Sequence, residues 1–144
     1  MKTIVICCSG NFYKHANEVA DELIVKDFKV IVPKTADIMR KSGDYDIDKH
    51  KTWYDRPEDF TVKAGKMRKH FEEVAAGDII LVINDEKRGI KGYIGPNGLM
   101  EMGLAFYLNK PIYVLNPVGK GMPFYEEVLG MDSIILNGDL GKIK

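Results

Sequence analysis

Short apolar runs alternate with helix-patterned segments along the chain, and this alternation limits the folds that are open to it. Two of the runs, TIVICC and DIILVIN, are almost wholly apolar, which is typical of strands that are covered on both faces. Strands that alternate with helices predict one domain over residues 1–144. We expect a flavodoxin-like or Rossmann-like open parallel sheet of five strands, in the order 2-1-3-4-5, with helices on both faces. The predicted strands are Thr3–Cys8, Phe28–Val32, Asp78–Asn84, Ile112–Leu115 and Ser133–Leu136.

The helices are predicted from apolar stripes and from stop signals such as Gly77. The long polar connection between the second strand and the third helix holds the single tryptophan, Trp53. That connection is interpreted either as a surface loop pinned by aromatic residues or as a wall that stacks on a flat ring. Helices are expected at Tyr13–Lys26, Ala36–Lys41 and Pro123–Leu129. A further helix is expected from Glu58 or Phe60 to Ala76, with core contacts at Val62, Met67, Phe71 and Val74. Another helix, which carries Glu101, is expected to follow a glycine-rich turn and to end near Asn109.

Composition excludes several classes of protein. The 144 residues include 21 basic and 21 acidic side chains, which argues against nucleic-acid binding through bulk positive charge. No apolar run approaches the roughly 20 residues of a membrane span. The adjacent cysteines Cys7 and Cys8 point to opposite faces of a strand, so a reduced, cytoplasmic setting is expected, with buried packing of these thiols favoured over a redox role. The chain has no P-loop, no serine-nucleophile elbow and no metal-ligand spacing, and we expect no metal and no cofactor.

The predicted topology gathers distant polar segments at one edge of the sheet. Ligands of such sheets bind at the carboxyl ends of the strands, where the strand order reverses. Turn formation and helix capping are the competing interpretations of these residues. The predicted binding residues are Ser9, Gly10, Asn11, Phe12, Asn84, Gly95, Asn97, Gly98 and Asn116, with Asp85 as a candidate for handling a proton or a base.

Glu101 is the strongest candidate for chemistry. With Gly98 as the N-cap, Glu101 would be the third helical residue, where a glutamate often only completes a cap. The helix dipole would then favour the ionised carboxylate, which suits a nucleophile or an electrostatic stabiliser better than a general acid. Glycosidic cleavage uses carboxylates in this way at an electron-poor anomeric carbon.

The segment Glu101-Met102-Gly103-Leu104-Ala105, within LMEMGLAFYLNKPIYVLN, resembles the nucleophile helix of the nucleoside 2-deoxyribosyltransferase-like superfamily. That group includes the 2'-deoxynucleoside 5'-phosphate N-hydrolases. The resemblance covers Asp78–Asn116 well and Ser9–Asn11 loosely. It implies a flavodoxin-like fold, Glu101 as the nucleophile on the sugar, and a homo-oligomer in which a neighbouring subunit helps to close the site.

Two of the departures of this chain from the pattern of that superfamily concern the predicted site. The superfamily carries an aspartate about two helical turns before the position of Asp78, and here His70 occupies that neighbourhood. The loop before Glu101 lacks the acidic or hydroxyl residue of several members, so Asn97 is the expected substitute. The leading hypothesis is cleavage or transfer of an N-glycosidic bond in a nucleoside or nucleotide, with Glu101 attacking the sugar and His70 or Asp85 handling the base or a proton.

Two other hypotheses remain open from the sequence. One is a non-catalytic module that binds or senses a nucleotide in the same pocket. The other is a phosphoribohydrolase, a group whose PGGxGTxxE motif the segment IGPNGLMEMG matches in outline. A requirement for a 5'-monophosphate would favour the phosphoribohydrolase or the N-hydrolase over base transfer.

Overall fold

The computed structural model describes residues 1–144 and forms a five-stranded parallel sheet. The strand order is β2-β1-β3-β4-β5, and every neighbouring pair is parallel, as the sequence predicts. Strand β1 matches its predicted range, and each of the other four strands is one residue shorter than predicted at one or both ends. The strands are β1 (Thr3–Cys8), β2 (Lys29–Ile31), β3 (Ile79–Ile83), β4 (Ile112–Val114) and β5 (Ile134–Ile135).

Five α-helices connect or flank these strands. The helix that carries Glu101 begins earlier than predicted, because Pro96 takes the first helical position and Gly95 becomes the N-cap. It also ends earlier, two residues before Asn109, which adopts a left-handed conformation with φ 57°. The helices are α1 (Tyr13–Val25), α2 (Lys34–Ser42), α3 (Phe60–Ala76), α4 (Pro96–Tyr107) and α5 (Tyr125–Gly130).

The sheet has a hydrophobic core on each face. Helix α1 packs on one face through an apolar stripe that includes Ala16 and Leu23. Helices α3, α4 and α5 cover the other face, where Val74 and Met102 are fully buried. The prediction that the two cysteines diverge is confirmed: Cys7 lies in the core beneath α3 and α4, whereas Cys8 packs against the core beneath α1.

The strand order reverses between β1 and β3. The chain moves from β1 to one neighbour, β2, and then crosses back to the other side of β1 to form β3. Cys7 pairs with Val82 and Cys8 with Ile83, so these two strands end side by side. Helix α1 follows β1 and helix α4 follows β3, and the two helices lie on opposite faces of the sheet, which is where this class of fold opens a crevice.

The long connection is a surface segment anchored by aromatic packing. Trp53 is only 6% exposed and contacts the rings of Tyr54 and Phe60. The ammonium groups of Lys63 and Lys66 lie 5.0 and 5.6 Å from its ring centroid. The structure therefore favours the anchoring interpretation of Trp53 over a stacking wall.

One predicted core contact of α3 is wrong. Val62 is 50% exposed, because it lies on the outer side of the helix, whereas Val74 is fully buried. Met67 and Phe71 are partly buried. No helix combines the length and the apolar character that a membrane crossing requires.

Candidate active site

Glu101 lies in the second turn of α4, and its carboxylate is buried. Because the helix begins at Pro96, Glu101 is the sixth helical residue instead of the third. The predicted capping position was wrong, since a side chain this far along the helix does not reach the free N–H groups of the first turn. Only 6% of the residue is exposed. A buried carboxylate without a capping role needs another explanation.

His70 of α3 faces the Glu101 carboxylate across the gap between the two helices. The distance from His70 Nε2 to Glu101 Oε2 is 3.5 Å, and His70 Nδ1 lies 3.8 Å from Glu73 Oε1. His70 is itself 8% exposed, and neither ring nitrogen makes a hydrogen bond. The imidazole therefore lies between two carboxylates at distances at which its charge matters, without being locked to either.

Burial sets the protonation of this pair. Loss of water around Glu101 raises its pKa from the ordinary 4.5 to about 7, although the nearby His70 opposes the shift. Burial lowers the pKa of His70, but the neighbouring carboxylates Glu73 and Glu101 outweigh it and leave the pKa raised. The expectation that the helix dipole keeps Glu101 ionised was wrong. Near neutral pH the pair holds a proton that either group can carry.

Two further side chains are electrostatically linked to Glu101, and neither was among the predicted site residues. The Cys7 thiol lies below Glu101, and burial, followed by the Glu101 charge, raises the pKa of Cys7 well above its usual range. Burial also raises the pKa of Tyr13, at the start of α1, and the charges of the two cysteines and Glu101 add to this effect. The signal for Tyr13 was its position directly after the predicted binding turn at the end of β1.

Asn84 and Asn116 form a clasp between the ends of β3 and β4. The fully buried Asn84 side chain donates to the Asn116 carbonyl at 2.9 Å and accepts from the Asn116 backbone N–H at 2.8 Å. The Asn116 side chain donates to the Asn84 carbonyl at 3.2 Å and to Asp85 Oδ1 at 3.3 Å. These bonds and the complete burial of the Asn84 side chain show that it holds the edge of the site together and is out of reach of a ligand.

Asp85 pairs with a residue for which the sequence suggested no partner. Its Oδ2 atom lies 2.7 Å from His15 Nδ1, on the first turns of α1. Lys87, two residues further on, donates to the Ser9 hydroxyl at 3.2 Å. The predicted gathering of Ser9, Asp85 and Asn116 at one edge is thus supported by side-chain contacts. No contact joins Asp85 to Glu101.

The other predicted binding residues differ in what they can offer a ligand. Asn97 is exposed and Gly95 partly exposed, whereas Gly98 is buried, with room for a Cβ 3.6 Å from Ile94. A Cβ at Gly10 would lie 2.5 Å from the Ile47 side chain, so a larger residue there would require Ile47 to move. Phe12 is a correction: it is 6% exposed in the core beneath α1, so its side chain does not line a binding site. Asn11 is exposed at the same turn.

Three potential metal ligands meet although they are far apart in the sequence. Ligand atoms of Cys7, His70 and Glu101 all lie within 4.8 Å of one another, and all three residues are buried. The expectation of no metal rested on spacing along the chain, and spacing does not detect ligands that come from one strand and two helices.

Two open cavities lie elsewhere on the surface. One of ≈ 310 Å³ lies between the loops that follow β3 and β4, and one of ≈ 290 Å³ lies beside the amino end of β4. Glu101 lines neither.

Fold and site together define a doubly wound α/β protein with a buried carboxylate–imidazole pair beside the point where its strand order reverses. A scan against models of known protein families finds no match to this chain, and a search of curated proteins finds none either.

Proposed function

We propose that this protein cleaves or transfers the N-glycosidic bond of a nucleoside or nucleotide, with Glu101 as the nucleophile. The observation that carries the proposal is the buried Glu101–His70 pair, 3.5 Å apart, close to the carboxyl ends of β1 and β3. Perturbed carboxylates with a charge partner are frequent at catalytic sites. The resemblance of the Glu101–Ala105 segment to a nucleophile helix supports the choice of chemistry.

The pair supplies a nucleophile whose charge is adjustable. When the shared proton resides on His70, Glu101 is an anion that lacks a full water shell and is therefore reactive. One Glu101 oxygen then forms a bond to the anomeric carbon as the carbon–nitrogen bond breaks, and the bonding electrons leave with the base. Water or a second base attacks the glycosyl-enzyme in the next step and releases Glu101.

His70 serves as a positioning residue in this scheme and not as the acid that protonates the departing base. The nucleophile attacks from the side of the sugar opposite to the base. A group in contact with the Glu101 carboxylate lies on the nucleophile's side, so His70 sets the charge of Glu101. The residues at the polar edge of the site, Asp85, His15 and Asn116, are those that bind the base or transfer its proton.

The turn after β1 binds the sugar and any phosphate in this scheme. Ser9, Gly10 and Asn11 offer a hydroxyl, backbone N–H groups and an amide there, and Lys87 adds an ammonium group 3.2 Å from the Ser9 hydroxyl. The remaining predicted substrate-binding residues in this scheme are Gly95, Asn97 and Gly98 at the start of α4. The substrate is a small molecule, and we expect a homo-oligomer.

A turnover screen tests the proposal. Purified protein is incubated with nucleosides and their 5'-monophosphates, deoxy and ribo, with and without a free base, and chromatography measures base release or exchange. Glu101→Gln is the test variant, and Glu72→Gln, an exposed position on α3, is the matched control. We expect turnover in the wild type and the control and a loss of about 10³-fold or more in Glu101→Gln.

Two results contradict the proposal. Thermal stabilisation by a nucleotide without any base release, in wild type and Glu101→Gln alike, indicates a binding or sensing module. If no compound of the panel stabilises the protein and none releases a base, the nucleotide hypothesis is refuted and the buried pair has no glycosidic role.

A further inference from the structure

Cys7, His70 and Glu101 contribute three different ligand atoms to one buried place: a thiol sulfur from β1, an imidazole nitrogen from α3 and a carboxylate oxygen from α4. All lie within 4.8 Å of one another. The residues are 0%, 8% and 6% exposed, respectively. Sulfur, nitrogen and oxygen ligands together suit Zn²⁺, whereas Mg²⁺ and Ca²⁺ prefer oxygen alone.

No hydrogen bond compensates for the burial of the His70 imidazole. Both ring nitrogens of His70 are inaccessible to solvent and make no hydrogen bond, which is unusual for a buried polar group. The 3.5 Å from His70 Nε2 to Glu101 Oε2 is long for a charge-assisted hydrogen bond. It is close to the roughly 3.3 Å that separates two light ligands of a tetrahedral Zn²⁺ with bonds of about 2.0 Å. The pair is therefore already spaced for one ion.

We propose that Cys7, His70 and Glu101 bind a single Zn²⁺ ion through three protein ligands and leave its fourth position open. The ion replaces the protons of the thiol and the carboxylic acid, so a dipositive cation meets two negative ligands and a neutral imidazole, and the buried group has no net charge. The sulfur has to approach by about 1 Å to complete tetrahedral geometry. A change in the Cys7 rotamer or a small shift of α4 supplies this movement.

Zinc binding has a consequence for the proposed function. The ion takes the Glu101 oxygen that would attack the sugar, so the zinc-loaded protein is inactive toward N-glycosidic substrates and chelation restores activity. This consequence rests on the proposed function. The zinc site itself does not, because it is defined by ligands and not by turnover, and it is measured without any nucleotide.

Metal binding is tested with the full-length protein and with Co²⁺ as a spectroscopic probe for Zn²⁺. Protein freed of metal by chelation is titrated with Co²⁺, and zinc affinity is measured by competition with a chromophoric chelator. We expect one ion per chain, a thiolate-to-cobalt charge-transfer band, and the intense visible bands of tetrahedral coordination. Cys7→Ser should abolish the charge-transfer band and weaken zinc binding by about 100-fold or more.

The matched control is Cys8→Ser, because Cys8 is the next residue and faces the opposite side of the sheet. It should keep both the band and the affinity, and His70→Gln should weaken zinc binding as Cys7→Ser does. Circular dichroism establishes that each variant is folded. The proposal is overturned if wild-type protein fails to bind one ion per chain, or if the band survives in folded Cys7→Ser. A failed turnover screen with intact cobalt spectra rejects the glycosidic function alone.

Discussion

Replacing Glu101 by glutamine should change how the stability of the protein depends on pH. The folded pKa of Glu101 is about 7 and the ordinary value is 4.5, so the folded state holds this proton more tightly than the unfolded state. The resulting stabilisation is fully present below the unfolded pKa and is lost as the pH rises through the folded pKa. Glutamine keeps the shape of the protonated acid and has no proton to lose.

The magnitude follows from the two pKa values. A separation of about 2.5 pH units corresponds to about 3 kcal/mol of unfolding free energy, which the wild type loses between about pH 4.5 and about pH 8. The raised pKa of His70 acts in the same direction, since protonated His70 stabilises the folded state on the acid side. The stability of Glu101→Gln relative to wild type should therefore rise by about 3 kcal/mol over that range.

Urea denaturation at a series of pH values measures this difference. Each protein gives an unfolding free energy from its linear extrapolation, and the slope m is checked for constancy. Glu72→Gln removes an exposed carboxylate from α3 and should track the wild type within about 0.5 kcal/mol at every pH. A Glu101→Gln curve that stays parallel to the wild type from about pH 5 to about pH 8.5 would refute the reasoning that burial controls this carboxylate.

Three further predictions concern the scaffold of the site. Asn84→Ala should lower the unfolding free energy by about 2–4 kcal/mol in urea titrations, because it leaves the Asn116 N–H without its partner; a loss below about 1 kcal/mol contradicts the clasp. Gly92→Ala should cost at least about 2 kcal/mol, since Gly92 has φ +68° and its Cβ would overlap the Pro117 carbonyl oxygen, while Gly119→Ala, with open space, should cost under about 1 kcal/mol. Equal costs for these two glycines refute the steric argument. Trp53→Ala should destabilise by about 3 kcal/mol and leave substrate affinity unchanged; a large loss of affinity would instead support the stacking role.

The fold could be predicted because the main signals are local. Each buried strand is a continuous apolar run, and the alternation with helices leaves few topologies. The start of α4 was misplaced because glycine is a plausible N-cap at either Gly95 or Gly98. Pro96 decides between them, since its fixed φ suits the first helical position and its missing N–H costs nothing there.

The candidate site could be predicted only in part, because it depends on contacts between distant segments. Glu101 was found from its glycine-rich neighbourhood, and its proximity to His70 follows from the packing of α4 on α3. Cys7 could be assigned to a face of β1 but not to a position beneath Glu101. The Asp85–His15 pair could not be predicted either, because it joins two segments that are distant in the sequence, the end of β3 and α1. The protonation of Glu101 depends on burial, which the sequence does not report.

The nature of the enzyme intermediate tests the central claim most directly. Wild-type protein is mixed with each nucleoside and 5'-monophosphate and quenched with acid after short times, and mass spectrometry is applied to the intact protein and to its peptides after digestion. We predict a transient mass increase of one pentose or deoxypentose unit, with its phosphate where the substrate carries one, on the peptide that contains Glu101. The Glu101→Gln protein should show no increase. Base release at the wild-type rate by Glu101→Gln, or an adduct on another residue, would contradict the account.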